Sequence, residues 1–390
     1  MDIPEIQQFL AQHELDGWLM ADFHGRNEIA MKMLKLKGII TRRSFYYIPA
    51  LGTPVALVHN IEKDKFENVP GEFITYSSYA VLEDKLSRLL SDSRKVAMEY
   101  SARGRLPYIG LVDAGTVEFI RGLGVDVVSS ADLVAYFQAR LSAGQIARHR
   151  QAAANAMSIK DEVFAFVADR LKKDKTITEY DICRFILRKF DELNMETHDS
   201  PICGVDANAG NPHYEPTAER SATVRKGQLL LVDLWGKMKH PDGVFADITW
   251  MAYTGRKNEI PDKYRTLFDT VMRARDAAVT FLEENAGKGP VYGCDVDDVC
   301  RKVIAEAGYG ENFTHRTGHS ITSAAHGTGP NIDNLETEDK RQLQSGHLFS
   351  IEPGIYLPDC GFRSEINVLF GSDGCEITTL PLQTEIIALF

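Results

Sequence analysis

Short apolar runs and amphipathic segments alternate through the first part of the chain. Apolar residues recur at helical spacing in PEIQQFLAQHEL, which follows a proline start, and in VLEDKLSRLLSD. Strand-like runs rich in aromatic and β-branched residues are GWLMADF, SFYYIPA and PVALVHN, and two shorter ones, KVAMEY and VDVVSS, come later. The segments GTVEFIRGLG and ADLVAYFQARL again show helical spacing. This alternation predicts a mixed α/β domain.

The polar segment LSAGQ at 141–145 marks a change in this pattern. A long amphipathic stretch starts at Ile146 and is interrupted by the lysine-rich residues 173–175. We therefore predict two domains, residues 1–145 and residues 146–390, each within the usual range of domain sizes.

Two parts of the second domain resemble each other weakly. Residues 181–184 have the sequence D-I-C-R and residues 298–301 the sequence D-V-C-R, and a Met and an Asp precede each at similar distances. Chance similarity between two amphipathic helices is the alternative explanation. The nearly constant offset favours duplication, which predicts a pseudo-twofold domain with a site between its halves.

Two predicted hairpins carry acidic residues inside apolar strands. In the first, GQLLLVDLWG and DITWMAYTG flank the turn-rich segment KMKHPDG, and they contain Asp233 and Asp247. Side chains alternate between the two faces of a strand. A turn with an odd number of residues therefore places both aspartates on one face.

The second hairpin consists of HLFSIEPGIYL and FRSEINVLF, which contain Glu352 and Glu365. A four-residue turn formed by PDCG would place Gly354 opposite Glu365. Glu352 and Glu365 would then be diagonal neighbours on one face, within joint reach of one ion.

An acid in a strand is ordinarily explained by an edge or solvent-facing position. That explanation fits Asp233 poorly because residues 229–234 are otherwise apolar, and it fits Glu352 poorly because that residue lies within FSIEPGIY. Four carboxylates can be buried side by side only when a cation neutralises them. A hydrolytic centre with two divalent metal ions is the natural explanation.

Histidines cluster beside these acids. His315, His319 and His326 fall within NFTHRTGHSITSAAHG, and His213 lies in GNPHYEP, ahead of the Asp233 strand. The Thr-Gly and Ile-Thr-Ser steps favour strand or loop over helix in this segment. A lone histidine is more often a core or surface residue, but this group next to embedded acids indicates a site.

Composition narrows the classes of function. Lys and Arg number 44 and Asp and Glu 55, so the formal net charge is −11, which argues against a nucleic-acid or anionic-membrane partner. No apolar run is long enough to span a bilayer, and the N-terminus lacks the apolar centre of a secretory signal. The six cysteines are scattered without a C-x-x-C pair, which disfavours a disulfide framework or structural zinc. We therefore expect a cytoplasmic protein with reduced thiols.

The second domain resembles the pita-bread metallopeptidases, which include Xaa-Pro dipeptidase (prolidase), aminopeptidase P, methionine aminopeptidase and the metal-free creatinase. The matching motifs, in the family's order, are NPHY, VDLWG with ADIT, the Gly-His pair at 318–319, SIEPGIY and FRSEIN. The first 140 or so residues resemble the creatinase-type N-terminal domain of the prolidase and aminopeptidase P branch. The resemblance implies an α+β protein, with that α/β domain followed by a pseudo-twofold pita-bread catalytic domain.

The resemblance also implies how two divalent metal ions are bound. Asp233 would bind one ion, Asp247 and Glu365 would bridge both, and His319 and Glu352 would complete the other site. Manganese is the preferred metal, with cobalt, zinc or iron as alternatives. A hydroxide bridging the ions would be the nucleophile, and Glu352 would carry the proton to the leaving nitrogen.

On the substrate side, the resemblance assigns roles to three histidines and an arginine. His213 and His326 would contact the scissile carbonyl and stabilise the tetrahedral oxyanion. His315 would line the substrate pocket. Arg363, grouped with these substrate-binding residues, would hold the bridging carboxylates in place.

The activity implied is hydrolysis of the bond between an N-terminal residue and proline in a small peptide, by a homodimer. The segment 316–327 departs from the family, because Arg316, Thr322 and Gly327 replace two glycines and an acid. This departure keeps open a second possibility, a metalloenzyme redirected to a non-peptide substrate as a lyase or another hydrolase. A non-enzymatic binding protein ranks last because all five ligands are present. Neither the preferred peptide length nor the residue before proline follows from the sequence.

Overall fold

The computed structural model describes residues 1–390, which divide into two units, Met1–Gln138 and Ala139–Phe390. The boundary predicted at 145/146 falls inside the first turn of the helix Ala143–Lys172. Ser142 and Gln145 form a capping box that starts this helix, so the polar segment LSAGQ is a helix N-terminus.

The first unit is a sheet with helices on both faces. Its helices are α1 (Ile3–Gln12), α2 (Glu28–Met33), α3 (Tyr79–Leu89), α4 (Ala114–Gly122) and α5 (Ala131–Val134), with shorter helical turns at Asn60–Phe66, Ala102–Gly104, Pro107–Ile109 and Ala135–Ala139. Its strands are β1 (Gly17–Asp22), β2 (Ser44–Pro49), β3 (Val55–His59), β4 (Glu72–Tyr76), β5 (Lys95–Met98) and β6 (Asp126–Ser129).

The six strands have the order β4-β3-β2-β1-β5-β6. Strand β2 is antiparallel to both of its neighbours, and the remaining pairs are parallel. Strand β1 is buried along its whole length because Trp18 and Met20 pack into one apolar cluster and Leu19 and Ala21 into another. A strand buried on both faces is expected to be continuously apolar, as GWLMA is.

The second unit contains four longer helices and ten strands. Its helices are α6 (Ala143–Lys172), α7 (Glu179–Glu192), α8 (Asp262–Asn285) and α9 (Gly293–Glu306), with shorter turns at Asp206–Gly210, Lys257–Glu259 and Gly310–Asn312. Its strands are β7 (Met195–Glu196), β8 (Ile202–Val205), β9 (Leu229–Met238), β10 (Ala246–Tyr253), β11 (Leu348–Ile351), β12 (Gly354–Tyr356), β13 (Gly361–Arg363), β14 (Ile366–Phe370), β15 (Cys375–Ile377) and β16 (Ile387–Ala388).

The strands of this unit form three sheets, and two apolar cores pack against them. The sheets have the orders β16-β10-β9-β7, with β8 also on β9, β11-β14-β15, and β12-β13. In β9, Leu230 and Val232 belong to the core that contains α6 and α7, whereas Leu229 and Leu231 belong to the core that contains α8 and α9. The D-I-C-R and D-V-C-R sequences lie on α7 and α9, the second helix of each pair.

The helices do not combine length with apolarity in the way that a membrane span requires, and this includes α6 with its 30 residues. In α6, buried alanines and larger apolar residues alternate with charged ones, which is typical of a helix packed on a sheet.

Candidate functional site

The first acidic hairpin has the face pattern that the sequence predicted. Strands β9 and β10 are antiparallel, with Asp233 opposite Thr249 and Asp247 opposite Trp235. Odd-numbered positions therefore oppose odd-numbered ones, and the two aspartates are diagonal neighbours on one face. Both are buried, at 5% and 6% exposure.

The second hairpin has a different register from the predicted one. Gly354 pairs with Arg363 and not with Glu365, so the turn consists of residues 357–360. Gly361 belongs to the strand and not to the turn. A Cβ at this position would lie 1.9 Å from the carbonyl oxygen of Ala209, so the glycine is required by this close approach and not by a turn.

This register also changes how the two glutamates relate to each other. Ile351 pairs with Ile366 on one side of them, and Gly354 pairs with Arg363 on the other. The same register places Glu352 directly opposite Glu365 instead of diagonal to it. The prediction that both lie on one face is correct, because the shift is by two residues.

His319 is held beside the acids by backbone contacts to β11. Its N–H donates to the hydroxyl of Ser350 (2.9 Å), and its carbonyl accepts from the Ser350 N–H (2.9 Å). The ring Nδ1 lies 3.4 Å from the Ser320 carbonyl, so Nδ1 carries the proton. Nε2 then presents its lone pair to Glu352 Oε1 (3.3 Å) and Asp247 Oδ2 (3.7 Å).

The cluster provides ligand atoms that lack partners within the protein. Asp247, His319 and Glu365 each offer one atom within 4.8 Å of the other two. Asp233 Oδ1 and Asp247 Oδ1 are buried without a hydrogen-bond partner, which is costly unless something binds them. The lone pair on His319 Nε2 faces carboxylate oxygens, and this contact is also costly unless a cation binds between them. Carboxylate oxygens with one imidazole nitrogen suit divalent cations, so these residues fit a metal site.

The electrostatics of the cluster also favour a bound cation. Burial, and then the neighbouring carboxylates, raise the pKa of Asp247 and of Glu365 well above the usual range. Burial raises the pKa of Glu352 to about 7, although Arg363 opposes this shift. Burial lowers the pKa of His319, so its ring is neutral at pH 7 and able to act as a ligand.

Arg363 lies behind the carboxylates and is 4% exposed. Its guanidinium donates to Asp233 Oδ2, to the hydroxyl of Thr249 (2.9 Å) and to the hydroxyl of Tyr356 (3.1 Å). Thr249 in turn donates to Glu365 Oε2 (2.8 Å). Arg363 thus connects Asp233 and Glu365, which belong to different hairpins.

His315 also belongs to this supporting layer. Its Nδ1 lies 2.7 Å from the Arg316 carbonyl, which can only accept, so Nδ1 carries the proton. Its Nε2 therefore accepts from the Tyr356 hydroxyl at 2.7 Å. Burial lowers the pKa of His315 to about 3, which keeps the ring neutral. Both nitrogens of His315 are thus engaged by the protein.

The other two predicted histidines are exposed. The His326 ring is edge-on to His319 with 4.3 Å between centroids. His213 lies in the loop between β8 and β9, and its charge influences the pKa values of Asp233 and His326. His213 and His326 are thus accessible to solvent, whereas the protein engages both ring nitrogens of His315.

Two supporting residues were missed from the sequence. Thr249 joins Arg363 to Glu365, and Asn367 pairs its amide with the backbone N–H and C=O of Asp247 (2.9 and 2.8 Å). Each stands two residues after a candidate ligand in a strand. The same period-two rule that grouped the acids would have placed them on the ligands' face.

Comparison with known proteins identifies the family. The profile of metallopeptidase family M24 matches residues 151–372, which is more than half of the chain. The chain belongs to metallopeptidase family M24. The matched region includes all five candidate ligands, and membership in this family implies a divalent metal cofactor. The resemblance to pita-bread metallopeptidases is confirmed.

Individual relatives of this M24 protein extend the comparison. It is 34% identical to an Xaa-Pro dipeptidase of Lactobacillus delbrueckii subsp. lactis over 46% of this chain and 44% of that protein. The matched stretch is thus less than half of the relative's length. The dipeptidase PepE of Mycobacterium ulcerans superposes with a TM-score of 0.77 and 20% identity, covering 99% of this chain and 96% of that one. X-Pro aminopeptidase from Thermotoga maritima superposes with a TM-score of 0.64 and 21% identity, covering 99% of each. At these identities the two structures show the fold, and the predicted α+β pita-bread architecture is confirmed.

Proposed function

We propose that this M24 protein is a metal-dependent Xaa-Pro peptidase, of the prolidase or aminopeptidase P type, that hydrolyses the bond between an N-terminal residue and proline. The observation that carries the proposal is the convergence of Asp247, His319 and Glu365 within 4.8 Å, beside buried aspartate oxygens that lack partners. The similarity to an Xaa-Pro dipeptidase over part of the chain supports the choice of substrate.

Five residues would hold two divalent ions, with manganese preferred. Asp247 and Glu365, whose ligand atoms lie within 4.8 Å of each other and of that of His319, would be shared by both ions, as the family resemblance implies. Asp233, whose second oxygen is held by Arg363, would bind one ion with its free Oδ1. His319 and Glu352, with Nε2 and Oε1 3.3 Å apart, would bind the other.

Bound divalent ions supply a Lewis acid and lower the pKa of water. Glu352 would move the proton from the attacking water to the leaving nitrogen, because its carboxylate lies inside the cluster, with Oε1 3.3 Å from His319 Nε2. The hydroxyl of Ser350 donates to Glu352 Oε1 (3.2 Å) and orients it.

His213 and His326 would bind the scissile carbonyl and stabilise the oxyanion. Both are exposed, so a peptide can reach them. Removing one such donor typically costs about 10²–10³-fold in kcat. We expect losses of this size for His213→Ala and for His326→Ala, with metal binding retained.

The test is release of proline from Xaa-Pro dipeptides, and of the first residue from longer Xaa-Pro peptides, by metal-loaded protein. Matched Xaa-Ala peptides and chelated protein serve as controls. We expect manganese-dependent cleavage of the proline peptides alone, and Asp247→Asn should abolish it. Metal-loaded protein that cleaves no Xaa-Pro peptide would refute the proposal. Comparison of the Xaa-Pro dipeptides with the longer Xaa-Pro peptides distinguishes the prolidase type from the aminopeptidase P type.

Arg316 supports a second candidate, a metalloenzyme that acts on a non-peptide substrate. Its side chain is 8% exposed, and its charge lowers the pKa values of His315, His319 and His326. The positive charge of Arg316 changes the electrostatic potential on the substrate side of the site. Turnover of a non-peptide compound by protein that is inactive on peptides would favour this candidate.

We also propose that the protein is a cytoplasmic homodimer, as the resemblance implies. Sedimentation at micromolar concentration should give about twice the chain mass of 43.6 kDa. A monomer under those conditions would contradict the dimer without affecting the peptidase proposal.

A further inference from the structure

Glu179 is a fully buried carboxylate outside the metal cluster. It lies in the first turn of α7 with 0% exposure, and it has no cationic hydrogen-bond partner. The N-terminal end of a helix favours a negative charge, which partly compensates its burial. The remaining cost is met by hydrogen bonds, and their partners show what the residue does.

The hydrogen bonds of Glu179 hold together residues 205–222, which comprise the last residue of β8 and most of the loop that follows it. Oε1 accepts from the Val205 N–H (2.8 Å) and from the Asn208 amide (2.9 Å), at the start of the loop. Oε2 accepts from the Tyr214 hydroxyl (2.7 Å) and from the Ala222 N–H (2.7 Å), in its middle and at its end.

This loop carries His213, next to Tyr214. The Tyr214 side chain is 8% exposed and points back to Glu179, whereas the neighbouring His213 is exposed. The His213 N–H donates to Asn211 Oδ1 (3.1 Å) within the same loop. The loop's start, its end and the residue beside His213 thus all depend on one carboxylate.

We propose that Glu179 is a positioning residue for His213: its carboxylate holds the loop so that the imidazole reaches the substrate carbonyl. This inference rests on the proposed function, because the role of His213 belongs to that function. Glu179 touches neither substrate nor metal and acts only through the loop.

A carboxylate is required at this position because every partner donates. Val205 contributes a backbone N–H to Oε1 and Ala222 a backbone N–H to Oε2, and neither group can accept. An amide in place of the carboxylate presents an NH₂ group to one of them. Glu179→Gln therefore leaves one end of the loop without its acceptor, although its volume is unchanged.

The test combines Glu179→Gln with His213→Ala, and exposed Glu192→Gln on the same helix is the matched control. A misplacement of about 1 Å can cost about 100-fold. We expect Glu179→Gln to lower kcat by up to about 100-fold, with metal affinity and far-UV circular dichroism unchanged and Glu192→Gln neutral. In the His213→Ala background, Glu179→Gln should cost less than about threefold further, because the group it positions is gone.

Tyr214→Phe provides an intermediate variant that removes one hydrogen bond and is expected to cost up to about tenfold in kcat. Full additivity of Glu179→Gln and His213→Ala would overturn the proposal. Amide hydrogen exchange gives a readout that does not depend on turnover, since Glu179→Gln should speed exchange across 205–222. If the wild-type protein cleaves no Xaa-Pro peptide, the proposed function fails, and unchanged exchange in Glu179→Gln then overturns the positioning role separately.

Discussion

The hydroxyl group of Thr249 is one of the links between the two acidic hairpins. It accepts from Arg363 Nε and donates to Glu365 Oε2, so it fixes the carboxylate of one hairpin against the backbone of the other. Residues that orient metal ligands typically affect metal affinity by about 10–100-fold.

We therefore expect Thr249→Val, which keeps the shape and removes the hydroxyl, to weaken Mn²⁺ binding by about 10–100-fold. Thr249→Ser retains the hydroxyl and is the control. Isothermal titration calorimetry of chelated and dialysed protein measures both. Equal affinities for the Val and Ser variants would show that the hydroxyl does not position Glu365.

His149 is the residue for which a pH effect on stability is clearest. It is fully buried in α6, between the Phe245 carbonyl (2.7 Å from Nδ1) and the Thr378 hydroxyl (2.6 Å from Nε2). Burial lowers its pKa from 6.5 to about 4. The unfolded chain thus binds a proton at higher pH than the folded protein, so stability is lost as the pH falls from about 6.5 to 4.

The contribution of His149 amounts to roughly 3 kcal/mol across that window. His149→Gln cannot titrate, and we expect its free energy of unfolding to change less with pH by about this amount. Urea unfolding at a series of pH values, on wild type and variant together, gives the difference directly. Parallel pH profiles would mean that His149 does not carry the effect.

At the scale of elements, the segment that carries His319 depends on the close approach of two backbones. Gly318 exchanges hydrogen bonds with Ile332 (3.1 and 3.0 Å) on one side. On the other side, a Cβ on Gly318 would lie 1.9 Å from the Ser350 carbonyl oxygen. The segment can therefore lie beside β11 only when residue 318 has no side chain.

Gly318→Ala should destabilise the fold by about 1–3 kcal/mol, because the added methyl group forces the segment away from β11. It should also weaken metal binding, because His319 moves with the segment. Gly374→Ala is the control, since a Cβ there meets nothing within 4 Å. Chemical unfolding and metal titration of both variants test the prediction, and a Gly318→Ala protein with wild-type stability and affinity would contradict it.

Patterns along the sequence predicted the strands of the two hairpins more accurately than the register in which those strands pair. The parity of Asp233 and Asp247 follows from the alternation of side chains, and the structure confirms it. The register of the second hairpin was wrong because Gly361 looks like a turn residue. Its real requirement is steric, and it comes from a backbone segment distant in sequence.

At the scale of the whole molecule, the acidic cluster makes stability depend on metal. Without a cation, the pKa values of Asp247 and Glu365 lie above those of the unfolded chain. The unfolded state then releases protons at lower pH than the folded state. Stability of the metal-free protein from this source is present below about pH 4 and is lost as the pH rises through the folded values.

A bound divalent cation replaces those protons, so we expect metal to stabilise the protein more at pH 8 than at pH 5. At 100 times the Kd, binding alone contributes about 2.7 kcal/mol. Thermal unfolding with manganese and with chelator, across this pH range, measures the difference. Asp247→Asn should reduce it strongly. A metal effect that is independent of pH would show that the carboxylates are not the groups that respond.

The sequence by itself determined the family and the candidate ligands. Acids inside apolar strands and alternation with period two are local properties, and they selected the four acidic candidates, whereas the resemblance to the family singled out His319. Apolar neighbours show that a position is buried. A charged residue at such a position indicates a binding partner, because burying an unpaired charge is costly.

Only the tertiary structure decided how those residues are supported. The supporting contacts join segments that are far apart in the chain. They are the hydrogen bonds of His315 with Tyr356, of Thr249 with Glu365, of Asn367 with Asp247 and of Glu179 with Tyr214 in the His213 loop. Such contacts depend on register and on the close approach of backbones, which are set when whole sheets and helices pack. No window along the sequence contains that information.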